Sequence, residues 1–300
     1  GWGPPMTAGS PARLTSSEAV ENESRRGGMR VVVIPVLSDN YSYLLIDDET
    51  RQAAAIDPSE AHVVLAAVEK EAVQLSAVLT THKHPDHAGG NSLVASRVPG
   101  VKIYGGRLDR VQACTHPLAH NDEIELGNIV IRALATPGHT KGSMSYYCNY
   151  KSGSSSANPG LVFTGDTLLV GGCGKLIEGT AEELLTSLSE VLGKLPPDTH
   201  VYVGHEYTVT NMKFASSLEP TENKHLKEML IWAERQELAR AFTVPSTLRN
   251  ELLINPFMRT SEPIMSSVCP GCTPIEVFTK LRQKKSAFKE EVDENSGGKL

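Results

Sequence analysis

From Met29 onward the chain alternates apolar runs with short polar breaks. MRVVVIPV, SYLLIDD and QAAAIDP are rich in aliphatic and β-branched residues, and the turn-forming triplets SDN and DET separate them. They read as consecutive strands. EAHVVLAAVEKEA, from Glu60, switches to helical spacing and helix-favouring residues. LSAVLT returns to a buried strand, and GGNSLVASRV predicts a helix after it. VKIYGG, IVIRALATPGHT, SMSYYCNY, LVFTGDT and THVYVGHEY predict further strands, with KSGSSSANPG, Lys151 to Gly160, as a loop. TAEELLTSLSEVLGKL predicts an amphipathic helix, with Thr180 as its cap and an acidic first turn that suits the helix dipole.

The pattern changes near Asn211. NMKFASSLEP, NKHLKEMLIWAERQELARAF and PIEVFTKLRQKKSAFKEEV all carry helical spacing and are joined by Pro-containing loops. Strands in the first two-thirds and helices in the last third predict an α+β or layered α/β domain, residues 29–205, followed by a helical domain, residues 206–290. Residues 1–28 lack a periodic apolar face and read as a disordered tail, as do residues 291–300.

Composition narrows the function classes. Hydrophobic residues make up 40% and charged residues 21% of the 300, ordinary values for a globular chain with a sizeable core. A formal net charge of -6 argues against nucleic-acid partners, which need a basic surface. No apolar run approaches the roughly 18 residues of a membrane span, so no membrane partner is expected. Five cysteines, an odd number, do not form a secreted disulfide framework. They predict a reducing compartment: the cytoplasm first, with the mitochondrion as the alternative. Arg13, Arg25 and Arg26 hint at a transit peptide, but Glu18, Glu21 and Glu23 count against one.

Chemistry gathers at strand ends. TTHKHPDHAGG supplies His82, His84, Asp86 and His87, TPGHT supplies His139, FTGDT supplies Asp166 and VGHEY supplies His205. Histidines and aspartates are poor core residues unless paired, and each of these follows an apolar run. Strand ends on one sheet edge converge, so the set can meet around metal. Seven ligands exceed one tetrahedral site and imply two divalent ions, one group bridging, with zinc the first choice and iron or manganese next. A lone histidine is more often structural, and His62, His116, His120, His200 and His225 are read that way.

The order H-x-H-x-D-H, then distant His, Asp and His, resembles the metallo-β-lactamase superfamily. SDNYSYLLID, LATPGHT, FTGDTL, GCGK, EGTAEE, LPPDTHVYVGHEYT, TVPSTL and NPFMR extend the likeness to glyoxalase II, the hydroxyacylglutathione hydrolases, over nearly all of Met29 to Lys289. The resemblance implies a four-layer αββα sandwich with a C-terminal helical domain. It implies a monomeric thioesterase that hydrolyses S-D-lactoylglutathione to D-lactate and glutathione. It places His82, His84 and His139 on one metal, Asp86, His87 and His205 on the other, and Asp166 between them. Asp86 would also orient the attacking water. Lys175, Tyr207, Arg282 and Lys285 would hold glutathione, whose carboxylates suit a basic trio.

The chain departs from the family pattern at three places. Pro85 stands where the family has Trp, Lys83 where it has another His, and Ile177 where it has a glutathione-contacting Tyr. HPLAHND and THKH resemble the hydrolase branch linked to paroxysmal nonkinesigenic dyskinesia, which implies a different substrate or little activity. An iron persulfide dioxygenase is a further alternative, but the long helical C-terminal part speaks against it. A non-catalytic scaffold is the bland alternative, which a complete ligand set opposes. CPGC, Cys269 to Cys272, reads as an incidental loop, because it has no second pair and no strand-to-helix setting.

Overall fold

The computed structural model describes residues 23–151, 159–219 and 223–297. Residues 152–158 of the expected loop and residues 1–22 and 298–300 of the expected tails lie outside them. One sheet runs in sequence order through β1 (Glu23–Arg26), β2 (Met29–Val36), β3 (Asn40–Asp47), β4 (Gln52–Ile56), β5 (Gln74–Leu79), β6 (Lys102–Gly106) and β7 (His116–Leu118). β1 to β4 pair antiparallel, and β4 to β7 pair parallel. Parallel strands need crossovers. These are α1 (Ala61–Glu71) between β4 and β5, then α2 (Pro85–Ala88) and α3 (Asn91–Arg97) between β5 and β6.

The near-continuous apolar runs of β2 to β5 are explained by burial on both faces. Val32, Ile34, Leu44, Ile46, Ala53, Ala55 and Val78 pack with Ala61, Val64, Ala67 and Val94 of α1 and α3. The alternate residues Val31, Val33, Tyr43, Leu45, Ala54, Ile56 and Leu79 face the opposite way into the main core.

β8 (Glu123–Leu126), β9 (Ile129–Ala135), β10 (Met144–Tyr150) and β11 (Leu161–Gly165) follow, then a small hairpin of β12 (Leu168–Leu169) and β13 (Gly172–Cys173). β14 (His200–Val203) and β15 (Ser246–Thr247) complete the second sheet, ordered β15-β14-β11-β10-β9-β8. β9 and β11 both pair antiparallel to β10, and β14 runs parallel to β11, so β9, β11 and β14 end on one edge. Leu184, Leu188 and Leu192, in and after α4 (Ala181–Thr186), join the main core. So do residues of α5 (Thr208–Leu218), α6 (Lys224–Ala239), α7 (Leu248–Ile254) and α8 (Pro274–Gly297). The capping box expected at Thr180 is present, closed reciprocally by Glu183. No helix among the described residues is long and apolar enough to cross a membrane.

Four expectations change. The chain is ordered six residues before Met29: β1 pairs with β2 through Gly27 and Gly28, whose positive φ of 56° and 89° makes the turn. Its polar sequence, ESRR, hid the strand. α8 continues to Gly297, into the stretch expected as a tail. The helical third also contains a strand, β15, which pairs with β14. Finally, Cys269 and Cys272 are joined as a disulfide, where an incidental loop was expected. A Pro-Gly turn between them brings the two residues together.

Candidate metal centre

All seven candidate ligands lie just beyond the C-terminal ends of β5, β9, β11 and β14. His82 and His84 follow β5, and Asp86 and His87 sit on α2, where Pro85 occupies the first helical position. His139 follows β9, Asp166 follows β11 and His205 follows β14. Two glycines make room. Gly165 takes φ 50° to turn the chain into Asp166. A Cβ on Gly204 would collide with the Asp166 carboxylate and stand 2.8 Å from His87 Cε1.

The side chains form two groups sharing one carboxylate. His84 Nδ1 lies 2.9 Å from His82 Nε2 and 3.1 Å from His139 Nε2. His87 Nε2 lies 3.3 Å from His205 Nε2, and Asp86 Oδ2 is 3.5 and 3.4 Å from those nitrogens. Asp166 spans both groups, with Oδ2 3.5 Å from His139 Nε2 and 3.3 Å from His205 Nε2, and Oδ1 3.5 Å from His87 Nε2. His82, His87 and Asp166 also lie within ligand reach of one another.

Several observations test whether this set fits metal. Zn–N bonds of about 2.0–2.1 Å in a tetrahedron put ligand nitrogens roughly 3.3 Å apart, close to the spacing found here. Asp166 Oδ1 is buried with no hydrogen-bond partner among the described residues. The outer nitrogens of four of the five histidines, by contrast, are occupied. His87 Nδ1 meets Asp57 Oδ2 at 2.9 Å, His205 Nδ1 meets Asp39 Oδ1 at 2.8 Å, and His139 Nδ1 meets the Lys175 carbonyl at 2.8 Å. His82 Nδ1 is 3.1 Å from Thr81 Oγ1, which itself donates to Asp57 Oδ2. Protons held on those outer nitrogens leave Nε2 lone pairs aimed inward, as metal-ligating histidines require. The donor set fits divalent metal.

Burial and the carboxylates pull the histidines of the cluster in opposite directions. Burial, then the neighbouring His87, hold His82 well below the usual imidazole range. Burial alone would lower His87 as well, but the Asp166 and Asp57 carboxylates push it up to about 10. His205 is likewise opposed by burial and raised to about 12 by Asp166, Asp39 and Asp86. Asp86 is held well below the carboxylate range, first by its contact with His205.

Of the residues expected to hold glutathione, Tyr207 and the Lys175 backbone touch ligands of this centre. Tyr207 stacks on His205, with ring centroids 4.8 Å apart and planes 8° apart. Lys175 is exposed, and its carbonyl holds His139. Arg282 Nη1 donates to the Cys173 carbonyl at 3.0 Å, and Lys285 Nζ donates to the Thr210 carbonyl at 3.1 Å. The two basic residues of α8 are thus tied to the segments that carry Lys175 and Tyr207. Ile177 is 57% exposed. Beside it, Glu178 pairs with Lys83 at 2.5 Å, linking this loop to the metal loop.

The sequence reading missed the supporting residues. Asp57, Asp39 and Asn40 were absorbed into strand ends and a turn. Asp57 accepts from Thr81 N as well as His87, and Asn40 Nδ2 donates to Asp86 Oδ2 at 3.1 Å. The available signal was position: Asp57 ends an apolar strand as Asp166 does. The five histidines read as structural lie outside both ligand groups.

Residues 45–205 match the metallo-beta-lactamase superfamily, and residues 206–288 match the hydroxyacylglutathione hydrolase C-terminus. The chain is 47% identical over 262 residues to the cytoplasmic hydroxyacylglutathione hydrolase of Arabidopsis thaliana, covering 87% of this chain and 100% of that one. It is also 47% identical over 261 residues to a hydroxyacylglutathione hydrolase-like protein of Gallus gallus, covering 87% and 91% of the two chains. Among solved structures, ETHE1 from Myxococcus xanthus shares 25% identity at a TM-score of 0.57, covering 86% of this chain and 99% of that one. A metallo-beta-lactamase from Staphylococcus aureus, at 23% identity and TM-score 0.59, covers 86% and 72% and shares the fold.

Proposed function

This chain belongs to the hydroxyacylglutathione hydrolase family of the metallo-beta-lactamase superfamily, and on that premise we propose that it hydrolyses S-D-lactoylglutathione to D-lactate and glutathione at a dinuclear centre. The observation that carries the reading is the pair of three-residue ligand groups joined by Asp166. His82, His84 and His139 would hold one ion, and Asp86, His87 and His205 the other. Zinc is the first choice, with iron or manganese next.

When bound, the ions supply Lewis acidity, polarising the thioester carbonyl and acidifying a water. The chain's own residues do the rest. Asp57, Asp39 and the Lys175 carbonyl fix three imidazoles by their outer nitrogens. Asp86, with a side chain 40% exposed against 12% for Asp166, faces the open mouth and accepts a hydrogen bond from the attacking water. Water adds to the carbonyl carbon, the C–S bond breaks and glutathione leaves as a thiolate. A thiol of pKa near 8.5 needs little help to leave. Lys175, Tyr207, Arg282 and Lys285 hold the glutathione body away from the reacting carbon.

The name of the Arabidopsis relative supports the cytoplasm as the compartment. We read the working form as a monomer, which light scattering checks. Metal analysis with a steady-state assay on S-D-lactoylglutathione tests the main reading. About two ions per chain with turnover is the expected result. A metal-replete preparation that leaves the thioester intact would sink it, and one iron with oxygen consumption would favour the dioxygenase.

A further inference from the structure

Two carboxylates outside the ligand set grip the same pair of loops. The histidines of the first group come from the loop after β5, which carries His82 and His84, and from the turn between β9 and β10, which carries His139. Asp109, buried in the loop after β6, accepts from Lys83 N at 2.5 Å through Oδ2 and from Gly142 N at 3.2 Å through Oδ1. Glu178, nearer the surface, accepts from Lys141 N at 3.2 Å through Oε2 and pairs with Lys83 Nζ at 2.5 Å through Oε1. Each carboxylate thus spans both loops, and Lys83 is held at its amide by one and at its ammonium by the other. Gly142 permits the close approach, since a Cβ there would stand 2.3 Å from Asp109 N. Lys83 lies between His82 and His84 in the chain. His84 is the ligand histidine whose outer nitrogen has no hydrogen bond among the described residues, so its ring is placed through its backbone. The second group is braced otherwise: His87 and His205 each rest on a carboxylate of their own, Asp57 and Asp39.

We propose that Asp109 and Glu178 clamp the two loops at the separation that the first ion needs, gripping them through Lys83, and that these three are positioning residues for that ion and not for the second. The proposal rests on the dinuclear reading above and concerns how one of its two ions is held. Among the described residues neither carboxylate bonds a ligand imidazole, so the clamp acts through backbone and through Lys83. Metal–nitrogen bonds of about 2.0–2.1 Å leave little slack, and displacing one loop strains all three. Residues one contact removed from a metal are worth roughly 10–100-fold in its affinity. The two arms differ in strength. Asp109 is out of water and answers two backbone N–H groups, whereas the Lys83 and Glu178 side chains are 36% and 27% exposed, so their pair is partly screened.

Withdrawing zinc from the loaded chain with a graded chelator tests the clamp. Isotope-labelled histidines read by NMR report each imidazole separately. In Lys83→Met and in Glu178→Gln, His84 and His139 should lose zinc at about fivefold higher free zinc than in the wild type. His87 and His205 should lose it at the wild-type value. Asp109→Asn leaves one of its two N–H groups unanswered and should shift the same pair by about 30-fold. Lys83→Met combined with Glu178→Gln should match either single variant, because both remove one contact. Lys83→Arg keeps the charge and should match the wild type. The two variants of the ion pair lie near the surface, so the test holds even if Asp109→Asn does not fold. Equal shifts for both pairs of histidines, or no shift in either single variant, overturn the clamp and leave the two-ion reading standing. A wild type that never holds two ions overturns the dinuclear reading and the clamp with it.

Discussion

Two buried polar regions of this molecule obey different rules. In the helical third, the buried Glu251 and the Arg259–Glu219 pair are answered by their neighbours. Glu251 accepts from Gly171 N, Ser246 Oγ and Asn255 Nδ2 at 2.8, 2.6 and 3.0 Å. Arg259 forks onto Glu219 at 2.7 and 3.2 Å and also reaches Glu262. At the strand ends, imidazole nitrogens face one another 2.9 to 3.3 Å apart, and Asp166 Oδ1 has no partner. Both regions are buried, so burial of polar residues does not mark a site. What marks it is demand that the protein leaves unmet, set inside a shell of outer contacts that the protein does satisfy.

Removing the shared carboxylate tests that contrast most severely. Asp166→Ala should lower kcat/KM about 10⁴-fold, some 5.5 kcal/mol of transition-state stabilisation, and reduce bound metal from about two ions toward one. Circular dichroism should show a folded chain, since no hydrogen-bond network depends on Oδ1. Near-native turnover would mean that the two ligand groups work independently.

The matching experiment in the helical third should change stability instead. Arg259→Met leaves the Glu219 carboxylate, only 4% exposed, without its main partner. A stranded buried charge costs about 3 kcal/mol. Urea unfolding reads that loss directly, while kcat per folded molecule should stay near the wild-type value. A variant as stable as the wild type would show that Glu219 finds another partner or protonates cheaply.

How far these rules could be read from the sequence depended on what each residue's neighbours in the chain reveal. The ligands were legible because each ends an apolar run, and strand ends on one edge must converge. The two-sided burial of β2 to β5 was legible as near-continuous apolar runs. Asp39, Asp57 and Asn40 were not, because their partners lie 166, 30 and 46 residues away and no local pattern encodes such a pairing. β1 escaped notice for a related reason. Its pairing is set by a two-glycine turn and the backbone of β2, not by its own polar side chains.

A pH experiment sharpens the contrast from the satisfied side. Burial pushes the Glu251 carboxyl up to about 6 from an ordinary 4.5, despite its three donors. Between those values the folded chain binds more protons than the unfolded one. The contribution is therefore fully present below about pH 4.5 and is lost as pH rises through 6, a difference of roughly 2 kcal/mol. Glu251→Gln keeps an acceptor for Gly171 N and Asn255 Nδ2 and can donate to Ser246 Oγ. The stability of this variant relative to the wild type should rise across that interval. A constant difference from pH 4 to 7 would show that Glu251 titrates in the fold as it does in the unfolded chain.

The smallest effect decides where the basic residues of α8 belong. Lys285 is 8% exposed, with Nζ donating to the Thr210 carbonyl and lying 5.1 Å from the Phe214 ring centroid. Arg282 has a similar setting, on the Cys173 carbonyl and over Phe257. A glutathione carboxylate gripped by this pair would place it with the metal centre rather than with the groups that the fold holds for its own stability. Lys285→Met preserves the methylenes and the contact with Phe214 while removing the charge. Contacts to a remote part of the substrate act alike in ground and transition states, so the change should fall on KM. KM for S-D-lactoylglutathione should rise about tenfold, near the low end of a charge-assisted hydrogen bond, with kcat little altered. A thioester that lacks glutathione should be hydrolysed equally by both forms. Added salt should weaken substrate binding more in the wild type than in the variant, because it screens the attraction that only the wild type retains. If KM stays unchanged while the unfolding midpoint drops, Lys285 serves the fold and not the substrate. The α8 cations then belong with Arg259 among the groups that the fold satisfies for itself.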